Sequence, residues 1–351
     1  MSQMNGPPLS VDLVDPRNLS AAQIERWHAI MSANAVWQNA FLSPEFVRAC
    51  AQSHGRVNVA IVTCDDEIVG FMPFQFSSAF GQRIGLATVT GEQMADRSAL
   101  LVADTDVIDF RRILSQTGIG TVYLHHVSEN DPYLGNLIVQ REPSHAIDLQ
   151  HGAGRYLEGL TASKKKLVGD TERRMRKLEQ DVGPIEFRFD MAPDALAIER
   201  LMDNKQAQYI RRDATPVFGS RARRDLLVEL SQSRSAFCQP LLTTLLAAGR
   251  PIAQHFGIMC GDTLHYWFPV YDHAMRKFAP GRLLLWKTIE NASELGIRCI
   301  DRGAGDSQSK RDFSNSESSI GKFLWIGDTL KAKAARLVLS LQWRLAKYRK
   351  N

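Results

Sequence analysis

The chain has 351 residues, 44% hydrophobic and 23% charged, which excludes global disorder and a fibrous repeat and is long enough for two domains. Its net charge of +5 is a weak indication of an anionic partner such as a nucleotide or anionic lipid. Five scattered cysteines fit neither a disulfide framework nor a zinc site, and neither a leader nor an apolar run of about 20 residues occurs, so we expect a cytoplasmic protein with reduced thiols and no metal.

The first half of the chain begins its clear patterns with a β-hairpin. Residues 58–76 contain two apolar runs joined at an Asp-Asp-Glu turn. A helical pattern over 106–118 and a short strand over 121–127 follow. The predicted order is therefore hairpin, helix, strand.

The second half repeats this order with stronger signals. Two-residue turns separate three apolar runs, which predicts an antiparallel meander over 241–248, 251–260 and 263–271. A helix over 280–296 has Pro at its start and Gly at its end, and a strand over 297–301 comes next. The shared order indicates an internal duplication.

The connection between the halves is predicted to be a loop over 142–154, so we place the boundary near Gly154 and expect domains over 1–154 and 155–351. Residues 161–180 then hold seven Lys/Arg against three Asp/Glu and predict a basic helix. A further helix is predicted over 193–212.

A family resemblance rests on the order of several short segments. These are SKKK, AQHFG, LHYWFPVYD, APGRLLL, a helix ending in Gly, and IDRGAGDSQSK. Over residues 155–310 this order resembles the branch of the GNAT N-acetyltransferase superfamily that includes the CelD-like proteins of cellulose and exopolysaccharide gene clusters. That branch is similar to the FemAB-like transferases, which are paired GNAT domains. Ser309 and Ile300 stand where the family tends to have aromatic residues.

The resemblance implies an α/β (α+β) fold with two tandem GNAT-like domains, each a mixed, mostly antiparallel sheet flanked by helices. It also implies an acyltransferase that moves an acetyl or other acyl group from acyl-CoA to an amine or hydroxyl of a sugar, polysaccharide precursor or small molecule. No nucleophile elbow or Walker lysine occurs, so direct attack is expected. Two alternatives are a FemAB-like aminoacyl transferase that uses charged tRNA and a non-catalytic scaffold of a polysaccharide-synthesis complex.

The expected CoA site begins at the helix start Pro280-Gly281-Arg282, with Leu283 in the same turn. An open helix N-terminus offers N–H donors to a pyrophosphate, Gly permits close approach and Arg pairs with phosphate. In the GNAT fold the strand that contains Pro269 diverges from the next, which makes Val270 and Tyr271 candidate backbone contacts. An ordinary helix start and an ordinary strand end are the alternatives.

The expected catalytic residues are His255, Tyr266, Asp306 and Lys310, which we predict to converge on one cleft. Pairing through a two-residue turn puts His255 opposite Phe268, with Tyr266 on the same face. Histidine and tyrosine could move protons, and Lys310 could stabilise an oxyanion. The alternatives are a core histidine and a surface turn over 301–310.

Two further features have open interpretations. Lys205 and Tyr209 lie one helical turn apart and either line the acceptor side or are solvent-exposed. The basic segment 331–351 has apolar residues at helical spacing, namely Ala334, Val338, Leu341, Leu345 and Tyr348. It predicts either a core-packing helix or a helix on an anionic membrane surface beside a membrane-bound synthase.

Overall fold

The computed structural model describes residues 9–103 and 110–348, with side chains of the last helix described as far as Leu341. The chain forms two compact units, Met1–Arg141 with Ser319–Asn351, and Glu142–Ser318. The division differs from the one predicted at Gly154. Residues 142–148 are part of a strand rather than a loop, and the C-terminal helix belongs to the first unit.

The first unit contains both strands and helices and begins with a strand. Its elements are β1 (Leu9–Val14), α1 (Ala21–Ser32), α2 (Pro44–His54), β2 (Val57–Cys64), β3 (Glu67–Gln75), α3 (Ala79–Arg83), β4 (Leu86–Thr88), β5 (Leu101–Val102), α4 (Phe110–Thr117), β6 (Thr121–Ser128), most of β13 (Ser316–Ile326), and α11 (Leu330–Tyr348).

The sheet of the first unit has the order β1-β2-β3-β4-β6-β13, with β5 on β3. The predicted hairpin is confirmed as β2 and β3, whose turn residues Asp65 and Asp66 both have positive φ. That conformation is the one a two-residue hairpin requires, and Asp tolerates it well. Only β4 and β6 are parallel among the paired strands described in this unit.

The second unit contains the following elements: the greater part of β7 (Val139–Asp148), α5 (Ala153–Ser163), α6 (Lys165–Asp181), β8 (Ile185–Asp190), α7 (Ala195–Arg211), α8 (Arg221–Ser231), β9 (Gln239–Ala247), β10 (Arg250–Cys260), β11 (Thr263–Tyr271), α9 (Pro280–Glu290), β12 (Cys299–Ala304) and α10 (Gln308–Phe313). Its sheet order is β7-β12-β11-β10-β9-β8, and β11–β12 is a parallel pair between antiparallel neighbours.

Both faces of the second sheet are covered by helices or by the segments that connect them. Met259 and Leu264 are paired across β10 and β11 and share a buried cluster with residues of α9 and α5. Phe256 and Phe268 are also paired, and the Phe268 ring packs 4.9 Å from that of Phe218, between α7 and α8. Since strand residues alternate between faces, Phe256 and Met259 face opposite sides. The mixed α/β class predicted from the sequence is confirmed.

The C-terminal helix packs through a row of residues that shares Val338 with the predicted row. Ala332, Ala335 and Leu339 are buried, whereas Ala334 and Leu341 are exposed. The predicted row was offset by one or two residues, because buried Ala contributes little to a hydrophobic pattern. Leu345 and Tyr348 lie outside the described side chains.

Membrane-spanning helices and metal-binding groups are both absent from the described part of the chain. Among the described residues, no helix is both long enough and apolar enough to cross a bilayer. Within the same ranges, no group of three or more His, Cys, Asp or Glu side chains is arranged to hold a metal ion.

Candidate functional site

The second sheet opens between β11 and β12. The two strands pair from Thr263–Cys299 to His265–Asp301, and in the described residues the pairing stops there. Beyond this pair β11 continues to Tyr271 and β12 to Ala304. We call the resulting opening the β11–β12 cleft. Tyr266 and Arg302 are the first residues on either side of it.

A β-bulge in β11 sets the orientation of the cleft residues. The register between β10 and β11 shifts after Phe256, so that Tyr266 and Trp267 together lie opposite Gly257. His255 therefore pairs with Pro269, and the predicted pairing with Phe268 was wrong. A Cβ at Gly257 would lie 2.4 Å from the His265 carbonyl oxygen and 2.7 Å from the His255 ring. The bulge requires glycine at this position.

The fully buried His255 completes this bulge. Its Nε2 accepts a hydrogen bond from the Trp267 amide at 3.1 Å, and its Nδ1 lies 3.4 Å from the Thr243 hydroxyl. A ring that accepts at Nε2 is neutral and has its proton on Nδ1. Burial lowers the pKa of His255 well below its usual value, with nearby His265 adding to the effect. His255 is thus engaged by the backbone at the nitrogen that a general base would use.

Tyr266 stacks on this histidine, with ring centroids 3.8 Å apart and planes at 3°. Its hydroxyl is buried and has no hydrogen-bond partner among the described residues. Burial raises the pKa of Tyr266, opposed by the charge of Arg302. The Arg302 guanidinium lies 5.3 Å from the centre of the Tyr266 ring. The phenol therefore stays protonated at neutral pH.

A buried histidine–aspartate pair marks the narrow end of the cleft. Nδ1 of His265 lies 3.6 Å from the carboxylate of Asp301, which also accepts the Gly303 amide at 2.7 Å. The sequence reasoning singled out neither His265 nor Arg302. Asp301 begins the segment 301–310 that the sequence analysis considered. The pairing of Asp301 with His265 follows from the parallel register of β11 and β12, which only the sheet topology gives.

Asp306 and Lys310 lie at the end of β12 instead of beside His255. The exposed Asp306 carboxylate binds Arg311 at 2.6 Å and the buried His145 at 3.2 Å. The Lys310 ammonium donates to the carbonyls of Gly303 and Ala304. The structure thus brings His255 and Tyr266 together, whereas Asp306 and Lys310 fix the turn from β12 into α10.

Lys205 lies against the backbone of β11. Its ammonium donates to the Pro269 carbonyl and lies 5.2 Å from the centre of the Tyr209 ring. Burial lowers the pKa of Lys205 to about 8, with a smaller effect from Arg212. A pocket of about 270 Å³ lies nearby, and its lining includes Asn204, Ala207, Arg211, Gln254, Val270 and Tyr271. The predicted acceptor residues and strand contacts are therefore close neighbours.

Helix α9 begins without a side-chain cap at Ala279, which has φ +55°. A Cβ at Gly281 would touch only the Tyr271 ring, at 3.7 Å, so the space beside the helix start is open. The cofactor contact at Leu283 stays a prediction. Its side chain is fully buried among Leu245 and its neighbours, so it packs the core.

Positive charge is concentrated around this helix start. Arg282 binds Asp170 of α6 at 2.8 Å, and the same carboxylate binds Arg174 and Arg173. The pKa of Asp170 is lowered most by its hydrogen bond from Arg174 and next by its hydrogen bond from Arg173. Three guanidinium groups share one carboxylate. A groove of about 810 Å³ beside them, here called the basic groove, is lined by residues that include Lys164, Lys165, Lys166, Asp170, Arg282 and Arg311.

The segment that contains the cleft, the basic groove and α9 also has a recognisable family pattern. Residues 165–311 match the family model of the acetyltransferase (GNAT) domain. The match begins at the start of α6 and ends within α10. No curated protein matches the chain.

Several solved structures share the fold of the chain over more than the matched residues 165–311. FemX has a TM-score of 0.60 at 9% identity and covers 93% of this chain and 99% of its own. A conserved protein of unknown function from Bacteroides thetaiotaomicron has a TM-score of 0.58 at 11% identity, covering 89% and 99%. The C-terminal DUF2156 domain of an Agrobacterium fabrum protein named as a lysylphosphatidylglycerol synthetase has a TM-score of 0.55 at 10% identity, covering 92% and 96%. At these identities the likeness is one of fold.

Proposed function

We propose that the second unit is an acyltransferase that uses acyl-CoA and acylates an amine or hydroxyl of a sugar, a polysaccharide precursor or a small molecule. The parting of β11 and β12 carries this proposal. Among the described residues, it leaves the edge of β11 that faces β12 without a partner strand beyond His265, and it leads towards the open start of α9. The extended thioester arm of acyl-CoA needs an unpaired strand edge, and the phosphates of CoA need an open helix start.

The donor would lie along β11. The phosphates would bind at the start of α9, where Gly281 leaves room and Lys165, Lys166 and Arg282 supply positive charge. The five residue steps from Tyr271 back to Tyr266 cover roughly 16 Å at about 3.3 Å per residue. A pantetheine arm is an extended chain of this order, so the acyl group would reach the narrow end of the cleft.

The reaction would be a direct transfer. The acceptor nitrogen or oxygen attacks the thioester carbon, the C–S bond breaks, and the acyl group moves to the acceptor. The Tyr266 hydroxyl gives its proton to the departing thiolate and regains one from the acceptor. A raised pKa suits a donor of this kind, because the phenol stays protonated at neutral pH. His255 acts here by positioning the Tyr266 ring.

Lys205 is proposed to serve the acceptor side. Its ammonium lies at the β11 backbone, and its lowered pKa leaves a part of the population neutral at pH 8. It could therefore hold an incoming hydroxyl or amine by hydrogen bonding without placing a permanent charge in the cleft.

Calorimetry and native mass spectrometry with acetyl-CoA, longer acyl-CoAs and free CoA test the proposal. We expect binding of CoA that the double variant Lys165→Ala/Lys166→Ala weakens, because it removes two charges from the basic groove. Once an acceptor is found, Tyr266→Phe should lower turnover by about a hundredfold to ten-thousandfold while CoA affinity holds. Absence of CoA binding by the folded protein would leave the scaffold interpretation.

A second candidate function is aminoacyl transfer from a charged tRNA, as implied by the resemblance to FemAB-like transferases. The width of the basic groove favours it, since Lys164, Lys165 and Lys166 could bind a phosphate backbone. A gel-shift with bulk tRNA distinguishes the two. Binding of tRNA with a steep salt dependence, together with no affinity for CoA, would favour aminoacyl transfer.

A further inference from the structure

Arg302 carries a positive charge that no carboxylate among the described residues neutralises. It lies on β12 directly after the last residue that pairs with β11, and its guanidinium covers the Tyr266 ring. Its Nη1 is buried and, among the described residues, has no hydrogen-bond partner. The neighbouring Asp301 does not compensate it, because that carboxylate is bound to the Gly303 amide and faces His265.

The hydroxyl of Tyr266 is a second unsatisfied group at the same place. Tyr266 is only 7% exposed, and its oxygen is buried without a partner in the described part of the chain. A buried unpaired cation and a buried unpaired hydroxyl each cost free energy that folding alone does not recover. Two such groups beside each other at the narrow end of the β11–β12 cleft indicate a ligand that completes them.

The chemistry of these two groups specifies the ligand. A guanidinium presents several N–H donors in a plane and matches the two oxygens of a carboxylate, and the phenol adds another donor. The site lies at the narrow end of the cleft, which is far from the basic groove where phosphates would bind. We propose that Arg302 binds a carboxylate of the substrate beside Tyr266, and that this carboxylate is present either on the transferred acyl group or on the acceptor.

This inference rests on the proposed acyl transfer for the placement of the donor. The two sources of the carboxylate are distinguished by two binding experiments. In the donor experiment, calorimetry compares succinyl-CoA with butyryl-CoA, which has the same chain length and no carboxylate. A carboxylate on the acyl group predicts about ten- to hundredfold tighter binding of succinyl-CoA, from a charged hydrogen bond of the usual strength.

In the acceptor experiment, the protein is saturated with free CoA and titrated with glycine and with methylamine, its counterpart without the carboxylate. Binding of glycine alone, with no preference between the two acyl-CoAs, assigns the carboxylate to the acceptor. No preference for the carboxylate in either experiment, in a protein that does bind CoA, overturns the inference and leaves the proposed function standing. Failure to bind any CoA ester contradicts the proposed function instead.

Two variants connect the preference to Arg302. Arg302→Gln should reduce the preference for the carboxylate to within about twofold while affinity for free CoA is retained. Arg302→Lys, which keeps the charge without the planar set of donors, should retain a part of it. A full preference in Arg302→Gln would overturn the inference.

Stability gives a readout that requires no ligand. Because Arg302 has no carboxylate partner in the described protein, Arg302→Met should leave the Tm unchanged or raise it. If Arg302 were part of a structural ion pair, the same substitution would lower the Tm. A fall in Tm of more than about 4 °C would mean that the folded chain itself already satisfies the guanidinium, and it would overturn the inference.

Discussion

His255 shows how a residue that looks catalytic can be required by the backbone. The bulge opposite Gly257 takes the Trp267 amide out of the strand ladder, and the His255 ring accepts it. A backbone N–H left unpaired in the core would cost about 1–3 kcal/mol. The same ring supports Tyr266 by stacking. Its position in the cleft is therefore explained by support of the bulge and of the Tyr266 ring.

The pH dependence of stability follows from this role. Since the pKa of His255 is well below its unfolded value of about 6.5, the unfolded chain binds the extra proton first as the pH falls. The stabilisation is fully present above about pH 6.5 and is lost below it, by up to about 1.4 kcal/mol per pH unit. Urea unfolding between pH 5 and 7.5 should show this slope.

The variant His255→Gln is the matched control, because its side-chain oxygen can still accept the Trp267 amide but does not titrate. We expect the difference in unfolding free energy between wild type and variant to shrink as the pH falls. A constant difference over that range would contradict the assignment of a neutral buried histidine.

Gly257 allows a second test at the residue scale. A Cβ there would collide with the backbone of His265 and the ring of His255, neither of which can move without opening the bulge. We expect Gly257→Ala to destabilise the protein by about 2 kcal/mol or more and to reduce any acyl-CoA binding through Tyr266. Gly169→Ala, at a helical position where a Cβ would meet nothing within 4 Å, should be neutral or stabilising.

At the scale of elements, helix α9 carries the proposed binding of phosphates. Gly281→Asp should weaken CoA binding by roughly tenfold or more, about 1.4 kcal/mol, because it places a negative charge at the helix start. The added side chain meets only the Tyr271 ring, so the fold should persist. Calorimetry with CoA measures the change.

Gly261→Asp supplies the same substitution at the turn between β10 and β11, where a Cβ would meet nothing within 4 Å and Asp tolerates the φ of +56°. This turn is at the end of the hairpin away from Tyr271, so CoA affinity should not change. Equal losses in the two variants would show that the effect is not local to α9.

The elements themselves were largely predictable from the sequence, and their pairing was not. The meander, with its two-residue turns, was predicted to within about two residues at each strand end, because local turn chemistry specifies it. Strand β7 was taken for a loop, and β13 was not predicted. β7 is mostly polar and β13 begins with a polar run, and the strand character of both comes from long-range pairing.

The candidate site was predicted in part for the same reason. The start of α9 and the proximity of Tyr266 to His255 follow from local sequence and one hairpin. Arg302 could not be found in this way. Its significance depends on where the pairing of β11 with β12 ends, and only the assembled sheet determines that position.

At the scale of the whole molecule, α11 completes the first unit. Leu339 is 6% exposed and packs beside Leu86, whereas Leu337 is 63% exposed. We expect Leu339→Ala to cost about 2 kcal/mol or more and Leu337→Ala less than about 0.5 kcal/mol. Thermal unfolding of the intact protein measures both.

The exposed apolar residues of α11 keep the membrane interpretation testable. Leu330, Leu337 and Leu341 are exposed on a helix that also carries Lys331 and Lys333. Replacing the three leucines with Ser should abolish binding to anionic vesicles if the helix lies on a membrane, with stability retained. Wild-type protein that does not bind such vesicles would reject this partner.

The first unit is discontinuous in sequence, and this has a consequence for synthesis on the ribosome. Strand β6 pairs with β13, whose residues follow the whole second unit. At about 5–20 residues per second, the 177 residues of Glu142–Ser318 take roughly 9 to 35 s to translate. During that interval one edge of β6 is unpaired in the nascent chain and available to other strands. The second unit can fold first, and a nascent-chain chaperone would have its longest period of contact at β6.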